Sequence, residues 1–92
     1  MKTDKAGHMK GTVYILLSLK DRRTYIGSTA DLKRRINEHN LGNNISTKNR
    51  RPFTLVYSEN YDNLMRARQR EKYLKSRNGR REVKKILTNI GE

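Results

Sequence analysis

Cysteine is missing from this chain, so neither a disulfide nor a thiolate zinc site holds it together, and hydrophobic packing has to supply its stability. That absence is compatible with a reducing compartment. Tryptophan is missing as well and phenylalanine occurs once. The basic helices therefore lack the aromatic residues that an interfacial membrane helix inserts, and a lipid surface ranks well below nucleic acid as the anionic partner. No apolar run approaches the roughly 18 residues of a membrane span, and the start of the chain carries no signal-peptide core. A soluble, cytoplasmic protein without membrane attachment is expected. Acidic residues are also scarce: 9 Asp and Glu stand against 22 Lys and Arg, a formal charge of +13. The basic residues run through the whole chain and form no tail, which is the electrostatic footprint of a nucleic-acid binder.

What remains is compact and sparing. Ninety-two residues allow one small domain, burying roughly 60–65% of the surface its unfolded chain exposes. No repeat, low-complexity segment or shift in composition marks a linker, so residues 10–92 are expected to form a single domain. Residues 1–9 are polar and aperiodic and read as a disordered leader, with Gly7-His8-Met9 as the trace of an expression vector. His8, alone in such a leader, is given no role.

The organising stretch is Val13 to Arg35. In Val13-Tyr14-Ile15-Leu16-Leu17 the period of two puts Val13, Ile15 and Leu17 on one face of a strand and Tyr14 with Leu16 on the other. Tyr25-Ile26-Gly27 begins a second strand, and the polar segment between allows an antiparallel hairpin with two phenols. Ser28-Thr29-Ala30-Asp31 then offers a hydroxyl cap with an acid in the first turn of a helix, with Leu32 and Ile36 at i and i+4. Arg35 and His39 flank that stripe, also at i and i+4, and Gly42 stands where a helix end wants glycine. Tyr14, Tyr25, Arg35 and His39 are expected to converge.

The rest of the chain completes an order β-β-α-β-α-α, an α+β fold with a small, mainly antiparallel three-stranded sheet covered by helices. Asn43 to Arg51 reads as a surface loop. Pro52 to Tyr57 reads as a third strand with Phe53, Leu55 and Tyr57 on one face, the proline suiting an edge position; Tyr57 is assigned to ordinary packing. A helix capped within Asn60-Tyr61-Asp62 runs to about Ser76, and Asn78-Gly79 separates it from a last helix carrying Val83, Ile86, Leu87 and Ile90. Arg80, Arg81, Lys84 and Lys85 then form either a plain solvated face, the favoured reading, or an extension of the DNA-binding surface. Glu71 falls on the apolar side of its helix, where a carboxylate requires a cation or strong donors.

These residues resemble the GIY-YIG nucleases. Thr12-Val13-Tyr14 stands at the first family tripeptide and Tyr25-Ile26-Gly27 matches the second; Arg35, ten positions after Tyr25, matches the helix arginine; His39 follows as in some homing-type members; and Glu71 matches the metal-ligating glutamate. Five residues of four chemical types in the family's order and spacing make the likeness specific. It covers residues 10 to 88 and is nearest to the small single-domain members, whose fold is that of the N-terminal domain of the excision-repair incision subunit. Thr12 and Val13 depart from the family's glycine and isoleucine, and its late asparagine has no assigned counterpart, Asn78 and Asn89 being the candidates.

The resemblance implies metal-dependent endonuclease-type hydrolysis of DNA, in repair or recombination. Glu71 would hold a single Mg2+ or Mn2+, completed by the substrate's phosphate. Tyr14 would be the general base, with a pKa lowered by Arg35 and the metal, Tyr25 would orient water or phosphate, and Arg35 would stabilise the non-bridging oxygens. His39 would relay a proton or simply lie on the helix surface. Lys48, Arg50 and Arg51 in the loop would touch phosphates or be merely solvated. DNA is expected over RNA. The alternative is a basic DNA- or RNA-binding module that keeps the fold without catalysis, in which Glu71 pairs with an arginine.

Overall fold

A computed structural model describes residues 9–90, so the expected leader lies, apart from Met9, outside the described residues. The sheet consists of β1 (Gly11–Ser18), β2 (Thr24–Thr29) and β3 (Phe53–Tyr61) in the order β2-β1-β3. Both pairings are antiparallel. Helices α1 (Leu32–Leu41), α2 (Leu64–Lys75) and α3 (Arg77–Ile90) complete the expected α+β order, with a 3-10 turn, Lys48–Arg50, before β3.

The central strand explains the layering. Val13, Tyr14, Ile15 and Leu16 are all buried, because β1 is covered on both faces and therefore reads as an almost continuous apolar run. Its alternation builds two cores. Val13 and Ile15 pack with Ala67, Leu74 and Val83 beneath α2 and α3. Tyr14 and Leu16 pack with Phe53, Tyr25, Leu32 and Ile36 on the α1 side.

One expected face does not survive. The β1–β3 register jumps from Ile15↔Tyr57 to Leu16↔Leu55, so Val56 is an extra residue on β3. A bulge of one residue exchanges the faces on either side of it. Phe53 consequently joins the Tyr14 core while Tyr57 joins the Val13 core.

The helix ends also differ from expectation in instructive ways. Asp31 is itself the N-cap of α1, its carboxylate accepting from the Arg34 amide at 3.1 Å, and Ser28 is left for another role. Gly42 closes α1 at φ 84° as expected. β3 continues through Tyr61, which moves the cap of α2 to Asn63; its side chain accepts from the Arg66 amide at 2.9 Å. Asn78-Gly79 does not separate α2 from α3 but lies in the first turn of α3. The break is at Ser76, whose hydroxyl accepts from the Gly79 amide at 3.1 Å. Gly79 is required for proximity: a Cβ there would stand 1.9 Å from the Tyr73 carbonyl oxygen. The two helices therefore meet in a tight corner.

Candidate active site

The site lies at the free edge of β2, where the two layers meet. Tyr14 and Gly27 are direct partners across the hairpin, as are Leu16 and Tyr25, so both phenols face α1. Their ring centroids are 6.5 Å apart. Gly27 makes this possible: a Cβ at that position would lie 2.3 Å from the Tyr14 oxygen. The Tyr14 ring occupies the space that any side chain at position 27 would need.

α1 brings the imidazole. Asn40 anchors the helix to the sheet by accepting from the Phe53 amide at 2.8 Å and donating to its carbonyl at 3.1 Å. The preceding residue, His39, is wholly buried. Its ring centroid is 5.0 Å from that of Tyr25 and 5.9 Å from that of Tyr14. Its Nε2 lies 3.1 Å from the Tyr14 hydroxyl and its Nδ1 lies 2.9 Å from the hydroxyl of buried Thr47. His39 is thus no helix-surface histidine. It is the centre of a Tyr14–His39–Thr47 chain, and burial, with Arg35 nearby, pushes its pKa down and keeps it neutral.

The Tyr14 phenol departs from expectation. Burial lifts its pKa to about 12, although the Arg35 guanidinium beside it pulls the other way. Desolvation outweighs the neighbouring cation, so a standing phenolate is not what this site offers. Arg35 is shared between Tyr14 and Glu38, which accepts from its Nη1 at 3.0 Å.

Glu71 arrives from the opposite layer. It sits on α2, and one carboxylate oxygen accepts from the Ser28 hydroxyl. Ser28 pairs with Val13 and so faces α2. The other oxygen accepts from Lys75 Nζ at 2.6 Å. The partner is therefore a lysine one helical turn away, 48% exposed, and not a buried arginine. Lys75 Nζ also stands 5.7 Å from the centroid of the Tyr25 ring, which ties the α2 layer to the phenols. A partly buried carboxylate beside the Ser28 hydroxyl is a hard oxygen donor set. It fits a cation such as Mg2+ or Mn2+ that retains water and takes phosphate oxygens, with only a surface lysine to move aside. Among the described residues, no three His, Cys, Asp or Glu side chains gather in a closed metal cage.

The loop cations do not join the cluster as equals. Arg50 is committed internally: its Nε donates to Asp21 at 2.7 Å, one Nη to the Thr24 carbonyl at 3.3 Å, and its guanidinium covers the Phe53 ring at 5.5 Å. Arg51 donates to the Lys48 carbonyl at 2.7 Å. Lys48 is exposed and carries the freest charge of the three. Asn78 and Asn89 contribute nothing to the phenol cluster. Thr47 was invisible in the sequence because it sits in an aperiodic loop, whereas Lys75 was signalled by its i+4 spacing from Glu71.

A family model described as "GIY-YIG catalytic domain" matches residues 10–85. The chain is 37% identical over 78 residues to a UPF0213 protein of Staphylococcus haemolyticus, covering 84% of this chain and 94% of that one. It is 35% identical over 82 residues to a UPF0213 protein of Syntrophus aciditrophicus, covering 87% and 93%. It is 39% identical over 80 residues to a UPF0213 protein of Haloquadratum walsbyi, covering 86% of each. No solved structure matches the chain. Among the described residues no helix is long and apolar enough to cross a membrane.

Proposed function

Because the chain belongs to the GIY-YIG family, we propose that it is a divalent-metal-dependent nuclease that hydrolyses phosphodiester bonds, with DNA as substrate. The observation that carries this reading is the meeting of Tyr14, Tyr25, Arg35 and His39 on one side of the β2 edge with Glu71 on the other. A basic domain that only bound phosphate would gain nothing from a carboxylate beside its cations.

The chain's own residues divide the work. With the proton of His39 on Nδ1 and donated to Thr47, Nε2 is left to accept from the Tyr14 hydroxyl. The Tyr14 oxygen then keeps its lone pairs for an attacking water. As the water gives its proton to Tyr14, the phenol passes its own to His39, so no free phenolate has to exist at neutral pH and the raised pKa is accommodated. Tyr25, half-buried at the β2 edge, holds the water or phosphate by its hydroxyl. Arg35 presents a planar fork of donors to the non-bridging oxygens, where charge accumulates. A divalent cation at Glu71 supplies Lewis-acid polarisation of the phosphate when bound. Glu71 would hold that cation once Lys75, its half-exposed partner, moves aside.

The test is Glu71→Gln, assayed for Mg2+- and Mn2+-dependent cleavage of labelled single-stranded, duplex and branched DNA. Loss of several kcal/mol of charge stabilisation corresponds to a fall of about two to three orders of magnitude in rate. Stability should change by only about 0–1 kcal/mol, because Lys75 is half exposed and no buried cation is stranded. Absence of metal-dependent cleavage by the parent on any of these substrates, or on RNA, would overturn the nuclease reading and leave a basic binding module.

A further inference from the structure

Beside the phenols, between β2 and the α2–α3 corner, runs a groove of about 520 Å³ lined by Thr24, Tyr25, Ile26, Lys75, Arg80 and Val83, with Leu74 at its base. Its floor is apolar and two of its lining residues are cationic. No carboxylate lines it. Lys75 is held toward Tyr25 as described. Arg80, exposed, enters from α3 and makes no side-chain hydrogen bond or ion pair among the described residues. It reaches the groove because Gly79 lets the first turn of α3 press on the last turn of α2. The corner thus sets two cations five residues apart beside a site residue.

We propose that this groove is a subsite for the phosphodiester next to the scissile one, with Arg80 and Lys75 holding its phosphate and Ile26, Leu74 and Val83 supporting the adjoining sugar. The inference rests on the nuclease reading of the neighbouring phenols. It turns Arg80 from one charge on a solvated face into a positioning contact. The neighbouring Arg81 is a built-in comparison. It carries the same charge on the same helix, but it lines a different depression with Tyr73, Asn78, Glu82 and Lys85.

The experiment measures binding of a labelled 12-nucleotide DNA in chelator across a salt series for the parent, Arg80→Gln and Arg81→Gln, with Mg2+-dependent cleavage of the same DNA run alongside. Each lost phosphate contact on a single strand reduces the slope of log affinity against log salt by about 0.7, which is roughly a fivefold loss at 0.1 M salt that vanishes toward 1 M. Arg80→Gln should show that loss and a matching rise in KM with kcat nearly unchanged, and Arg81→Gln should show little of either. Equal slopes for the two variants would overturn the subsite and leave a diffuse basic surface. If the parent binds with this pattern but does not cut, the nuclease reading fails while the phosphate site stands. If it cuts and Arg80→Gln binds like the parent, the subsite fails and the nuclease reading stands.

Discussion

Gly27→Ala tests the packing on which the site depends. A methyl group at position 27 would fall 2.3 Å from the Tyr14 oxygen and 2.5 Å from the ring carbon that bears it. Ordinary carbon contacts need well over 3 Å, so the ring has to retreat by about 1 Å. It has nowhere free to go: Tyr14 is 1% exposed, packed with Leu16 and Phe53, and bonded to His39. Overpacking of this kind costs about 1–3 kcal/mol, and a displacement of about 1 Å at a reacting group costs on the order of a hundredfold in rate. Chemical denaturation and cleavage rate should therefore fall together. Tyr14→Leu in the same chain removes the clash, so the double variant should regain most of the stability while remaining inactive. A single variant Gly27→Ala that melts and cuts like the parent would refute the idea that the glycine exists to seat the phenol. So would a double variant no more stable than the single one.

Thr47→Val keeps the shape of the loop but leaves His39 Nδ1 buried without its partner at 2.9 Å, so it should cost about 1–3 kcal/mol. It should also slow cleavage, because nothing then fixes which imidazole nitrogen faces Tyr14; full activity with normal stability would exclude the proton relay. Glu59 supplies a stability prediction remote from the site. Burial alone would raise its pKa, but Arg70 and the Tyr57 and Tyr61 hydroxyls hold it down at about 2, against an ordinary 4.5. A depressed carboxylate contributes stability that is full above the unfolded pKa and lost as pH falls toward the folded one. The parent should therefore lose about 1–2 kcal/mol between roughly pH 5 and pH 2 through this group, after discounting for solvent. Glu59→Gln should be less stable at pH 7 and flatter over that interval, as read by denaturation at stepped pH; an unchanged curve would remove Glu59 from the acid transition. His39 acts in the same direction at higher pH: its lowered pKa means that the unfolded chain takes up the proton first, so stability also declines as pH drops below about 6.5.

The parts of the fold that were legible in the sequence are those governed by local period. The alternation of Val13 to Leu16 correctly separated the two cores, and the i, i+4 spacing of Leu32 and Ile36 correctly placed α1 against the Tyr14 face. Gly42 ended its helix as its left-handed φ requires. The misreadings have a common cause, which is that a local signal was outbid by a partner distant in the chain. The bulge at Val56 is imposed by the register against β1 and leaves no mark in the alternation of β3. Asn78-Gly79 looks like a breaker, yet its glycine serves contact with Tyr73 one helix earlier. Ser28 looks like a cap, yet its hydroxyl belongs to Glu71.

The same distinction divides the site itself. Tyr14, Tyr25, Arg35 and His39 lie on three consecutive elements, β1, β2 and α1, so hairpin register and one helical turn suffice to bring them together. What cannot be read from residue spacing is the environment that sets their chemistry. A phenol beside an arginine suggests a lowered pKa, but the same phenol sealed by Leu16, Phe53 and α1 has one pushed up to about 12. In the mechanism we propose, that reversal moves the burden of proton acceptance from Tyr14 alone to a pair, because a neutral imidazole 3.1 Å away can take the proton that the phenol cannot release to solvent. In that mechanism His39 changes from an optional relay into the residue on which the base would depend. Thr47, which no pattern in the sequence singled out, would keep the imidazole turned the right way.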